Sequence, residues 1–214
     1  MQMSFISVME IIGTVAFAVS GALVAIEKKL DYYGIVFLAI ITAVGGGLIR
    51  DMIINVSLPV ALANPVYVII SMATAAVVIV FYKWVRRLQT WITLFDAIGL
   101  AAFTAIGAET AVNNHVYTPF VVITLALLTG TGGGILRDVF AQEIPFVFRK
   151  EVYAVAAIVG AIAFLAAYSF FRMEPAAYIC FGTTLVIRLV SVKWNWHLAR
   201  VKTGVTADEK DRRQ

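Results

Sequence analysis

Six ionisable residues stand where a chain this apolar has little reason to keep them. Arg50 and Asp51 follow the triplet Gly45-Gly46-Gly47 after two aliphatic residues, and Arg137 and Asp138 follow Gly132-Gly133-Gly134 in the same way. The two Arg-Asp pairs are 87 positions apart. Glu10 and Asp96 form a further matched set, 86 positions apart, each three residues before a glycine. Ionisable groups inside apolar spans mark ion and solute pathways by default. A glycine costs a helix about 1 kcal/mol relative to alanine, and bent backbone in hydrocarbon is tolerated only where it is buried in protein or lines water. Carbonyls freed by such a bend can face a cation. These residues therefore suggest ion handling by backbone dipoles and fixed charges, without bond making.

Covalent chemistry finds no comparable support. Gly130-Thr131-Gly132-Gly133-Gly134 superficially resembles a phosphate loop, but Ile135-Leu136 stands where a Lys-Ser/Thr pair is needed, and no soluble strand precedes it. The single cysteine, Cys180, has no intramolecular partner, and His115 and His197 lack a Cys or carboxylate cluster at ligand spacing. No nucleophile–base grouping is evident. The expectation is a protein that is not an enzyme, with no cofactor, no resident metal and no nucleic-acid partner.

The elements that must carry these residues are membrane helices. The chain has 214 residues, of which 61% are hydrophobic and 14% charged, against roughly 25% charged in soluble domains. Runs of about 20 apolar residues match one bilayer crossing each, and they do not alternate as barrel strands do. The fold class is all-α and integral to the membrane. Seven transmembrane helices are predicted over 5–26, 33–54, 66–84, 91–112, 117–140, 152–171 and 176–192. The N-terminus lacks a basic region and a cleavage site, so the first run reads as a retained helix. Trp194 and Trp196 read as an interfacial belt, and 203–214 as a polar, disordered cytoplasmic tail.

Loop charge sets the expected orientation. Lysine and arginine follow the first, third, fifth and seventh helices, as Lys28, Lys29, Lys83, Arg86, Arg87, Arg149 and Lys150 before the C-terminal cluster. Among the other three loops, only the one after the sixth helix has a basic residue, Arg172. The positive-inside rule places the N-terminus outside and the C-terminus in the cytoplasm.

The triplets belong to a longer repeat. Phe17 and Gly21 match Phe103 and Gly107, Thr42 through Asp51 matches Thr129 through Asp138, and Val66-Tyr67 matches Val152-Tyr153. The register makes 5–87 and 91–172 two copies of one three-helix unit, with the helix at 175–192 added, in one transmembrane domain over 1–202. An odd number of helices forces the second copy in from the opposite side. The result is an inverted repeat, a build that transport proteins use with the pathway at the repeat interface.

At 1.5 Å per residue both triplets reach the bilayer middle, from opposite faces. The favoured reading is a pair of kinked, pathway-lining helices, with Gly45, Gly46, Gly47, Gly132, Gly133 and Gly134, together with Thr42 and Thr129, along the ion path. The bland alternative is close helix packing by small residues. Arg50-Asp51 and Arg137-Asp138 fall toward opposite mouths as gating or structural charges. Neighbouring residues point about 100° apart on a helix, which predicts different partners for the two members of each pair. Snorkelling is the alternative for each arginine. Glu10 and Asp96 are open to three readings: cation attraction, pairing with the arginines, or helix capping. A buried pair between Glu109 and Arg188 is a further possibility.

At the paired Gly-Gly-Gly-x-x-Arg-Asp motifs the chain resembles the prokaryotic trimeric intracellular cation (TRIC) channels, a family also classed under a bacterial glycine-transporter domain. The resemblance spans roughly 5–195. It implies a homotrimer in the prokaryotic plasma (inner) membrane with one pore inside each protomer. It also implies conduction of monovalent cations, mainly potassium, along glycine-kinked second and fifth helices. The residues carried over by motif are Gly45, Gly46, Gly47, Arg50, Asp51, Gly132, Gly133, Gly134, Arg137 and Asp138. Two other functions stay open on the sequence: a secondary transporter of a small solute such as glycine, and a structural membrane scaffold.

Overall fold

The computed structural model describes residues 5–55, 58–85, 87–149, 152–194 and 196; the predicted C-terminal tail lies outside them. The described chain folds as helices α1 (Phe5–Glu27), α2 (Tyr32–Ile53), α3 (Val60–Ala63), α4 (Val66–Phe81), α5 (Leu88–Asn113), α6 (Pro119–Phe140), α7 (Phe146–Arg149), α8 (Val152–Tyr168) and α9 (Met173–Lys193). Six of these elements are long and apolar enough to cross a membrane, and α8 is a shorter apolar helix of 17 residues. They are the seven predicted spans.

Local chemistry sets the ends. Asp31 caps α2 by accepting the Gly34 N–H at 2.7 Å, the usual N-cap device. Pro119 starts α6, where its missing N–H costs nothing. Pro175 falls inside the first turn of α9 for the same reason, so this helix starts at Met173, ahead of the predicted 176. The third span runs to Trp84 as predicted, with its last turn, Tyr82–Trp84, tightening from α into a 3-10 helix. The short helices α3 and α7 have four residues each, too few to leave a periodic signal in the sequence. Each begins directly after a proline, Pro59 and Pro145.

Packing follows the repeat. Within the first unit α1, α2 and α4 touch one another, and within the second α5, α6 and α8 do the same. Between the units α1 packs on α5 and α2 on α6, as a two-fold relation requires. Phe17 and Phe103, equivalent residues, stack across this interface with ring centroids 5.3 Å apart. Helix α5 lies at the centre and is mostly buried, whereas α4 at the periphery is mostly exposed. Helix α9 breaks the symmetry: it lies on α5 and α8 of the second unit.

Candidate functional site

The two glycine triplets meet where α2 crosses α6. A Cβ on Gly46 would stand 2.1 Å from the Thr129 carbonyl oxygen, and one on Gly133 would stand 2.1 Å from the Thr42 carbonyl oxygen. Each helix presses a glycine against the carbonyl of its counterpart, an approach only glycine permits. Gly45 and Gly132 extend the crossing, against the Leu136 and Ile49 side chains. Both helices run through their triplets without interruption, and no described glycine has positive φ. The carbonyls of Thr42 and Thr129 thus face the opposite helix. Their hydroxyls donate to Leu38 and Leu125 of their own helices at 2.5 and 2.6 Å. At Gly45, Gly46, Gly132 and Gly133 the small-residue packing alternative describes the contacts.

The third glycine of each triplet marks the difference between the two ends. Gly47 borders a pocket that also touches Glu10, Thr14, Arg50, Asp51 and Tyr67, with about 30 Å³ open to the centres of water molecules. Gly134 is covered, because the Tyr153 hydroxyl stands 2.8 Å from where its Cβ would be.

The charged residues carry this asymmetry further. Arg50 holds Asp51 through Nε at 2.8 Å and Nη2 at 2.7 Å. Glu10 accepts a hydrogen bond from the Tyr67 hydroxyl instead of pairing with Arg50. Arg137 holds Asp138 through Nε at 2.8 Å and reaches two further groups from Nη1: Asp96 at 2.7 Å and the Ser20 hydroxyl at 2.6 Å. Tyr153 donates to Asp96 at 3.3 Å, and the Arg137 guanidinium lies 4.8 Å over the Phe146 ring. Arg137 and Asp96 are wholly buried.

Two expectations change here. The members of each Arg-Asp pair bind each other, because the long arginine stem curls back across the 100° between neighbouring residues. Glu109 and Arg188 are both buried, yet no ion pair joins them among the described residues; Arg188 lies 4.9 Å over the Tyr153 ring. Snorkelling is also ruled out for Arg50, Arg137 and Arg188, which are at most 5% exposed.

Each Asp has a second task. The other carboxylate oxygen of Asp51 accepts the Val60 N–H at 2.8 Å, and that of Asp138 accepts the Phe146 N–H at 2.7 Å. These carboxylates cap α3 and α7 and pin the loops back onto the helices that carry the arginines. Replacing either by alanine should cost roughly 1–2 kcal/mol, as lost helix caps do. Hydrogen exchange at the Val60 or Phe146 amide should accelerate in Asp51→Ala or Asp138→Ala, and less in the Asn variants, which keep an acceptor. Unchanged exchange would show that the loops are held by other contacts.

Sequence reading missed Tyr67, Tyr153, Ser20 and the two loop amides. The tyrosines were visible as a matched Val-Tyr pair, and Pro59 and Pro145 are a matched pair as well. Ser20 left no signal, since its counterpart in the second unit is Ile106.

Fold and site together define a multi-pass helical membrane protein built as an inverted repeat, with a buried charge cluster toward each end of one central helix crossing. A family model described as "Glycine transporter" matches the chain twice, at residues 7–83 and 93–169, and the chain belongs to that family. Among curated relatives, the UPF0126 inner membrane protein YadS of Escherichia coli is 39% identical over 193 residues, 89% of this chain and 93% of that protein. The UPF0126 membrane protein YvgT of Bacillus subtilis is 38% identical over 192 residues, covering 89% and 93%. Among solved structures, a TRIC trimeric intracellular cation channel orthologue from Rhodobacter sphaeroides aligns with a TM-score of 0.85 and 33% identity over 89% of this chain and 98% of that one. A prokaryotic TRIC channel solved in 0.5 M KCl aligns with the same score and identity over 90% and 98%.

Proposed function

We propose that the protein is a cation channel of the TRIC type, conducting monovalent cations and chiefly potassium along a path inside the protomer at the α2–α6 crossing. The observation that carries this reading is the pocket beside Gly47, joined to the overall likeness to solved TRIC cation channels. Two carboxylates, Glu10 and Asp51, and one guanidinium, Arg50, line it, which leaves the pocket one negative charge in excess. Such a site favours cations. Its accessible volume of about 30 Å³ suits a few waters, at roughly 10–15 Å³ each, or a partly hydrated ion. At the other end the Arg137 cluster packs shut, and we read this as a closed gate. The neighbours named as trimeric channels support a homotrimer. Loop charge supports an external N-terminus and a cytoplasmic C-terminus in a prokaryotic plasma membrane.

The description of the matching family favours one other reading, a carrier for a small solute such as glycine. Planar-bilayer recording of the purified protein under a potassium chloride gradient separates the two. The channel reading expects unitary currents that reverse near the potassium equilibrium potential. Saturable glycine uptake into proteoliposomes without unitary currents would replace it with the carrier.

A further inference from the structure

The two ends of the crossing have equivalent sequences but different charge. At the Arg50 end two carboxylates face one guanidinium. At the Arg137 end Asp96 and Asp138 also share one guanidinium by direct contact. A second positive charge stands one ring away: Arg188 of α9 lies 4.9 Å over the face of Tyr153, whose hydroxyl donates to Asp96. Arg188 is only 2% exposed and has no carboxylate in contact among the described residues. Its Nε and Nη2 make no hydrogen bond. A guanidinium this buried, without a direct counter-ion among the described residues, needs a nearby excess of negative charge to be tolerated. Asp96 and Asp138 supply that excess.

The first unit has nothing equivalent. Tyr67 bonds Glu10 as Tyr153 bonds Asp96, but no described cation stacks on Tyr67, and α9 packs on α5 and α8. The seventh helix therefore brings a positive charge that has no counterpart at the Arg50 end among the described residues.

We propose that Arg188 is a positioning residue that keeps the Arg137 end shut. It supplies the counter-charge that makes the cluster electroneutral and clamps Tyr153 over Asp96 and Gly134. Without it, Asp96 and Asp138 share a single guanidinium, the cluster carries one excess negative charge, and a cation is drawn in as at the Arg50 end. The role of α9 is to impose direction on a symmetric pair of half-sites. The inference rests on the channel reading for its consequence, but not for its test.

The test uses the full-length protein with its only cysteine removed (Cys180→Ala) and a reporter placed in the cluster (Ser20→Cys). Modification rates by a cationic and by a neutral methanethiosulfonate reagent are compared with and without Arg188→Met. The cationic reagent should react roughly tenfold faster in the Arg188→Met protein, a coupling of ordinary size. The neutral reagent should gain much less, and Arg188→Lys should stay close to the parent. Equal gains for both reagents, or a gain in Arg188→Lys as large as in Arg188→Met, would assign Arg188 to packing alone and overturn the proposal, as would unchanged rates. If Arg188→Met does not fold, Arg188→Gln keeps a polar side chain without the charge and should speed the cationic reagent likewise; no change there also overturns it. In bilayers, Arg188→Met should open more often than the parent. A parent protein that passes no cation current would sink the channel reading and leave the cysteine rates to decide the role of Arg188.

Discussion

Alanine at Gly46 or Gly133 should destabilise the protein more than alanine at any other glycine of the two triplets. The new Cβ meets a backbone carbonyl oxygen at 2.1 Å in each case. Neither atom can swing aside as a flexible side chain would, so α2 and α6 must separate. Overpacking of this kind costs roughly 1–3 kcal/mol, and a backbone obstacle puts it at the upper end. The gain in helix propensity returns up to about 1 kcal/mol. A net loss of about 2 kcal/mol corresponds to a fall of roughly 4–8 °C in melting temperature for a chain of this size. Gly47 is the internal control, because a Cβ there would meet nothing nearer than the Arg50 guanidinium of its own helix, 3.9 Å away, apart from its own helical backbone. Gly47→Ala should melt at or slightly above the parent. The two damaging changes press on one crossing, so their combined effect should depart from additivity. Thermal melts in detergent decide the matter: if Gly46→Ala melts like the parent while Gly47→Ala falls, the crossing does not hold α2 to α6 as described.

Arg137→Met should be costlier than Arg50→Met, although the two arginines are equivalent in the repeat. Arg137 is the direct partner of Asp138, Asp96 and Ser20 and is fully buried. Its loss strands two carboxylates away from water. Removing one member of a buried ion pair costs about 3–5 kcal/mol. Among the described residues Arg50 has Asp51 as its one ion-pair partner, beside a pocket that can admit water. Its loss should fall well below that range. Replacing Asp96 by Asn together with Arg137→Met should recover part of the stability, because it removes one of the stranded charges. Melting temperature and the yield of monodisperse protein measure both effects. An Arg50→Met protein less stable than Arg137→Met would contradict the assignment of the shut end to Arg137.

The apolar spans and the repeat were legible because both are properties of local sequence. Length and composition alone separate membrane helices from soluble ones, and a fixed register survives whatever the helices pack against. The charged residues of interest were legible as well, since each stands out against an apolar background. What the glycines do was not. A triplet reads equally as a bend or as a surface for close approach, and only the position of the Thr42 and Thr129 carbonyls distinguishes them. The partners of the arginines were misjudged for a related reason. The angle between adjacent residues constrains Cβ directions, whereas a guanidinium on a flexible stem can return to its neighbour.

By itself, then, the sequence determined an all-helical membrane protein of seven spans, built from two opposed copies of one unit with matched charges toward opposite ends. It determined nothing about how those ends differ, because the motifs are the same in both. Tertiary structure decided that. Phe146 lies over Arg137 where the first unit has the smaller Val60 at its pocket, and α9 brings Arg188 against Tyr153 on one side only. Contacts between helices distant in sequence broke a symmetry that local sequence could only repeat.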